Sequence, residues 1–272
     1  MRLVSLVLLA VVLLSAVPGQ AQEATDEPGQ DRHSSFLPPE YVLVFGDEFD
    51  QTGLDLEQWK YRYSGPYLAG FNSEQSVIQP GDGSLHLVTT YDGGQFLTGM
   101  IESRRQFQYG YFEARLQFQS LQGHHGAFWL QSPLYGQYLN DPGRSGAEID
   151  IIEFFGSGRS ATDAQHNIHW NPYASDQKEK RSYDVFYRDQ FGTELSDDFH
   201  VFGLLWTPEG YVFFIDGTET WRTSDGLSHT PEVVVLSLIT SDWENARLDP
   251  NLLPDEMLID YVRVYTPTSG KT

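Results

Sequence analysis

From Phe112 to Gln119 apolar and polar residues alternate: Phe112, Ala114, Leu116 and Phe118 against Glu113, Arg115, Gln117 and Gln119. A period of two puts one set on each face, which predicts a half-buried β-strand. Leu85 to Thr89, Tyr211 to Ile215, Val233 to Ile239 and Leu258 to Tyr265 are rich in β-branched and aromatic residues and predict further strands. Turn residues separate such runs, at Asp82-Gly83, Asp92-Gly93-Gly94 and Asp216-Gly217. No window of helix length holds a 3.6-residue period. Many short strands with frequent turns predict an all-β fold of the sandwich or jelly-roll kind.

The N-terminal end is patterned differently. Arg2 precedes an apolar run, Leu6 to Leu14, that is too short to span a bilayer. Gly19-Gln20-Ala21 places small residues where a signal peptidase cuts, so residues 1–21 read as a secretory signal cleaved near Ala21. Residues 22–39 are polar and acidic and read as a disordered linker. A single domain is expected over 40–267, with a short polar tail at 268–272. No later run of 18 apolar residues follows, so no membrane association is expected once the signal is removed.

Composition narrows the partners. The 272 residues include no Cys, so neither a disulfide nor a lipid anchor on Cys can form in the exported protein. Net charge is -21, from 38 acidic against 17 basic residues, which argues against nucleic acid and anionic membranes. A neutral polymer is easier to accommodate than a highly sulfated one. Aromatic residues make up 14% of the chain, which suits strands and also suits stacking on sugar rings.

The segment Gly146 to Gly156 carries the strongest chemical signal. Glu148 and Asp150 share one strand face and Ile149 and Ile151 the other. Uninterrupted alternation would bury Glu153 in the core, at a cost of several kcal/mol for an unpaired carboxylate, roughly the penalty for an isolated buried polar group. One extra residue, a β-bulge at Ile151-Ile152, returns Glu153 to the face of the other two acids. Three acids on one face repel each other. Glycoside cleavage supplies a reason for them: a carboxylate nucleophile and a carboxylic acid roughly 5–5.5 Å apart across the scissile bond. Asp150 between them would raise the donor's pKa by like-charge repulsion.

GAEIDIIEFFG resembles the active-site signature of glycoside hydrolase family 16, Glu-x-Asp-x-x-Glu, in the bulged form typical of bacterial laminarinases. Five further blocks resemble family strands in the expected order: FGDEFD, YGYFEARLQF, GAFWL, FHVFGLLWTPEGYVFFIDG and IDYVRVY. The resemblance implies a β-jelly-roll of two antiparallel sheets with a concave substrate cleft and net retention of anomeric configuration. It implies Glu148 as nucleophile, Asp150 as assisting acid and Glu153 as acid/base. His169 and Trp170 resemble the strand after the acids, Trp129 the cleft floor, and Trp243 a further platform. Asn72 and Glu74 resemble a subsite loop, although Gln75 follows Glu74 directly where the family pattern spaces them. Arg104 and Arg105 are candidates for sugar hydroxyls, and His124 and His125 for a subsite rim. Glu48, the Gly83 backbone and Asp260 match a structural calcium site of the family; no catalytic cofactor is implied. The expected protein is a secreted monomer, extracellular or periplasmic, that hydrolyses β-1,3- or mixed β-1,3-1,4-glucan. A galactan hydrolase and a non-catalytic carbohydrate-binding protein are the alternatives.

Overall fold

A computed structural model describes residue 37 and residues 40–158, 164–173 and 175–268. The expected signal, nearly all of the expected linker and the last residues of the tail lie outside the described residues. The chain divides into two units, Met1–Arg32 and His33–Thr272, and the second holds every described residue.

Seventeen strands form among the described residues. In order they are β1 (Tyr41–Asp47), β2 (Trp59–Tyr61), β3 (Gly65–Tyr67), β4 (Gly70–Asn72), β5 (Val77–Ile78) and β6 (Leu85–Asp92). Then come β7 (Gln95–Phe107), β8 (Gly110–Gln117), β9 (His125–Gln131), β10 (Glu148–Phe154), β11 (Ala164–Trp170) and β12 (Glu179–Val185). The last are β13 (His200–Thr207), β14 (Gly210–Ile215), β15 (Thr218–Thr223), β16 (Glu232–Ile239) and β17 (Asp255–Pro267). Two short helices, α1 (Pro142–Ser145) and α2 (Tyr187–Phe191), interrupt them.

The strands pair into two main layers. The first runs β15–β14–β13–β8–β17, and the far edge of β17 is shared by β1 and β6. The second runs β2–β7–β16–β9–β10–β11–β12, all antiparallel. The β6–β7 hairpin passes from one layer to the other. The antiparallel jelly-roll expected from the sequence is therefore present.

Alternation builds the core. Phe112, Ala114 and Leu116 of β8 are fully buried and face Ile149, Ile151 and Ile168 of the second layer within one apolar cluster. The tight turn between β14 and β15 uses Asp216 and Gly217, both at positive φ (47° and 73°), which is the hairpin geometry that Asp-Gly favours. The opposite face of the second layer is not covered by the first. It forms the floor of a cleft of about 1280 Å³.

Candidate active site

β10 crosses the middle of that floor. Asp150 lies opposite Asn167 of β11, but Glu153 lies opposite Gln165, so three steps on β10 match two on β11. The same slip appears against β9, between Asp150 and Ile152. One residue is thus extra, as the acid spacing predicts. Ile149, Ile151 and Ile152 are all fully buried in the core, while Glu148, Asp150 and Glu153 all line the cleft. At its start β10 is fixed by Gly146, whose φ of +74° and whose contact with Thr230 (2.6 Å from an added Cβ) leave no room for a side chain.

Burial dominates the electrostatics of the three acids. All three carboxyls are held above their ordinary range, because desolvation penalises the charged form. Asp150 is raised well above the ordinary carboxylate range, by burial and then by Glu148. Glu153 is pushed up to about 8, by burial and then by Asp150. Glu148 also rises, yet its neighbours favour its ionised form. Gln131 Nε2 donates to its Oε2 at 2.6 Å, and the Tyr173 hydroxyl donates to its Oε1. Glu153 receives the Asn167 amide. The cluster therefore favours an ionised Glu148 beside a Glu153 that keeps its proton at neutral pH.

His169 pairs with Glu148 across the strands, and its Nε2 lies 3.5 Å from Asp150 Oδ2. Burial holds its pKa down, so it is neutral. Glu148, Asp150 and His169 form a group whose ligand-type atoms lie within 4.8 Å of one another. Trp129 floors the cleft, with its indole N–H on Ser237 Oγ at 3.1 Å. Trp243 stands at the rim, 60% exposed, with its ring 5.3 Å from that of His125. His125 Nε2 is 3.9 Å from Glu153 Oε1. Its neighbour His124 points the other way, onto Thr89 and Asp255. Arg104 lines the rim and donates to the Leu56 carbonyl at 2.6 Å.

Four expected substrate residues are elsewhere. Arg105 Nη1 donates to the Val44 carbonyl of β1 at 2.5 Å, away from the cleft. Trp170 follows His169 on the same strand, so it must face the other side; it packs against the core under Arg181. Asn72 is buried and bonds the Arg62 carbonyl and the Thr98 hydroxyl. Glu74 is exposed in a single 3-10 turn outside the cleft. The residues matching a calcium site are already paired with arginine. Glu48 takes both Nε and Nη2 of Arg263 (3.0 and 2.8 Å), and Asp260 takes Arg115 Nη1 at 2.7 Å. Gly83 sits at positive φ in the turn before β6. With both carboxylates neutralised by guanidinium groups, this donor set does not fit calcium.

A second ring of residues, not legible in the sequence, surrounds the acids. Arg62 bonds Gln131, Glu102 and Tyr63, and stacks 5.0 Å from the Trp129 ring. It thereby holds the amide that holds Glu148. Tyr63 and Tyr67 stack at 5.3 Å on the cleft wall, and burial pushes Tyr67 up to about 12. Tyr173 comes from the turn after β11, and Gln131 and Arg62 from β9 and just after β2. Their side-chain directions depend on register across strands. Only the run of Tyr and Arg in YRYSGPY offered a signal.

The profile of glycosyl hydrolases family 16 matches residues 69–263. A beta-glucanase from Rhodothermus marinus is 27% identical, across 87% of this chain and 88% of that protein. A beta-agarase from Agarivorans albus is 26% identical over 84% of this chain, which spans 57% of its length. The laminarinase catalytic domain from Thermotoga maritima superposes with a TM-score of 0.65 at 20% identity, covering 83% of this chain and 98% of that one. This last likeness is one of fold.

Proposed function

The chain belongs to glycosyl hydrolase family 16 and is a glycoside hydrolase, and from this we propose a retaining endo-β-glucanase acting on β-1,3- or mixed β-1,3-1,4-glucan. The observation that carries the reading is the bulge: it aims Glu148 and Glu153 into one cleft from one strand. The beta-glucanase relative, matched across most of both chains, supports the substrate class.

In this reading a pyranose lies over Trp129, its apolar C–H face on the indole. Glu153 gives its proton to the glycosidic oxygen as that bond breaks, while the ionised Glu148 forms a bond to the anomeric carbon. Glu153, now a carboxylate, takes a proton from water. The water oxygen attacks the same carbon and releases Glu148. Two displacements return the original configuration. Asp150, placed between them and hydrogen-bonded to Glu153, opposes the loss of that proton, because two adjacent buried carboxyls resist being ionised together. Neutral His169 offers a hydrogen bond without adding a cation. The residue roles, an exported location and a monomeric state are parts of the same proposal.

Digestion of laminarin, lichenan, agarose and carrageenan, with products sized by chromatography, tests it. Laminarin or lichenan should give short oligosaccharides whose first-formed anomer is β by NMR. Cleavage of agarose alone would replace the glucan reading with a galactan one. A Glu148→Ala protein with wild-type rate would remove Glu148 as nucleophile.

A further inference from the structure

A fourth carboxyl lies beneath the cleft, outside the machinery above. Glu232 opens β16 and is fully buried. Its Oε1 accepts the backbone N–H of Ala147 at 3.1 Å, one residue before Glu148. Its Oε2 is buried without a hydrogen-bond partner. The Ala147 carbonyl is held in turn by the Ser132 N–H at 3.1 Å, and the Ser132 hydroxyl by Thr230. Gly146, just before, is packed against Ser132 and Thr230. The peptide that launches β10 is thus gripped on both sides, and one grip is an acid.

We propose that Glu232 is a positioning residue for Glu148: its buried carboxyl accepts the Ala147 N–H and so fixes the peptide from which Glu148 projects. An unpaired carboxylate oxygen in this interior is far less tolerable than an unpaired hydroxyl. The titratable groups that face Glu232 are Glu148 from β10 and Tyr211 from β14, and neither supplies a positive charge. Burial pushes the carboxyl up to about 8 against Ser228 and the Ala147 N–H, which both favour the ionised form, so at alkaline pH the site must hold a buried charge that these contacts only partly offset. A glutamine has the same shape and no proton to lose.

The inference rests on the glycanase reading for its kinetic arm, and a second arm is independent of it. Glu232→Gln should keep kcat on the cleaved glucan within about twofold at pH 6, and Glu232→Leu should lower kcat about 10- to 100-fold with little change in KM. Above the upper pKa, log(kcat/KM) should fall with a slope near -2 in the wild type, where Glu153 and Glu232 both titrate, and near -1 in Glu232→Gln. In thermal melts the drop in Tm between pH 6 and pH 9 should be smaller for Glu232→Gln than for the wild type, whether or not any substrate is known. A folded Glu232→Leu with wild-type kcat would overturn the proposal. So would a Glu232→Gln protein that matches the wild type in both alkaline profile and melting, a comparison that stands even if the leucine variant does not fold.

Discussion

Two glutamates on one strand differ only in what surrounds them. Glu148 has Gln131 and Tyr173 donating to it, and Glu153 has a single amide. A hydrogen bond to a charged group is worth about 1.5–3 kcal/mol. Tyr173→Phe should therefore lower kcat/KM about 10-fold or more and move its acidic limb to higher pH, because the ionised nucleophile loses a donor. A pH–rate profile of the two proteins reads both effects. Glu153 sets the other limb: with its carboxyl held at about 8, kcat/KM should decline above roughly that pH as the acid proton is lost. Glu153→Gln should slow hydrolysis of an ordinary glycoside by about 10²–10⁴ and remove that limb. A glycoside with a good leaving group, which needs little protonation, should be spared much of the loss in the first step.

At the scale of the strand, the extra residue of β10 decides where the acids point. Deleting Ile152 restores plain alternation and leaves Glu148, Asp150 and Glu153 on one face. The deleted protein should fold, with a lowered Tm from the missing core side chain, and keep its acids in the cleft. Inserting an alanine after Ile152 makes the spacing of Asp150 and Glu153 even, so the acids share a face only if the bulge is given up and the register beyond it shifts, and both activity and Tm should fall. Circular dichroism melts and a reducing-sugar assay separate the two cases. The same local rule explains what could be read from the chain. Which face Glu148, Asp150, Glu153, Trp129 and His169 share depends on neighbours along one strand, so alternation revealed it. It should also have removed Trp170, which follows His169 and must oppose it. Arg62, Gln131, Tyr67 and Tyr173 meet only through pairing across β2, β7, β9 and β11 and through loops. Asn72 misled because a polar side chain in a loop segment can satisfy backbone as readily as substrate, and here it serves Arg62 and Thr98.

For the molecule as a whole, the cleft and the carboxyl beneath it reduce stability. Glu153 and Glu232 each titrate at about 8 when folded, against about 4.3 when unfolded. A raised folded pKa contributes stability that is complete below the unfolded value and is lost as pH rises through the folded one. Unfolding should therefore become easier from about pH 5 to pH 9, and a Glu153→Gln, Glu232→Gln double variant should show a flatter dependence of Tm on pH over that range. The effect is opposed at the acid end by Asp216 and Asp255, whose carboxyls are held low mainly by His200 and His124 against their burial and which lose that support as pH falls. One further consequence follows from β17. Its thirteen residues are the shared partner of β1, β6 and β8, strands that lie more than a hundred positions earlier. A ribosome-bound chain that has not yet released this segment has three sheet edges waiting for one absent partner. The first layer can close only after synthesis of Asp255–Pro267, so a nascent chain stays open, and accessible to chaperones, until that stretch has emerged.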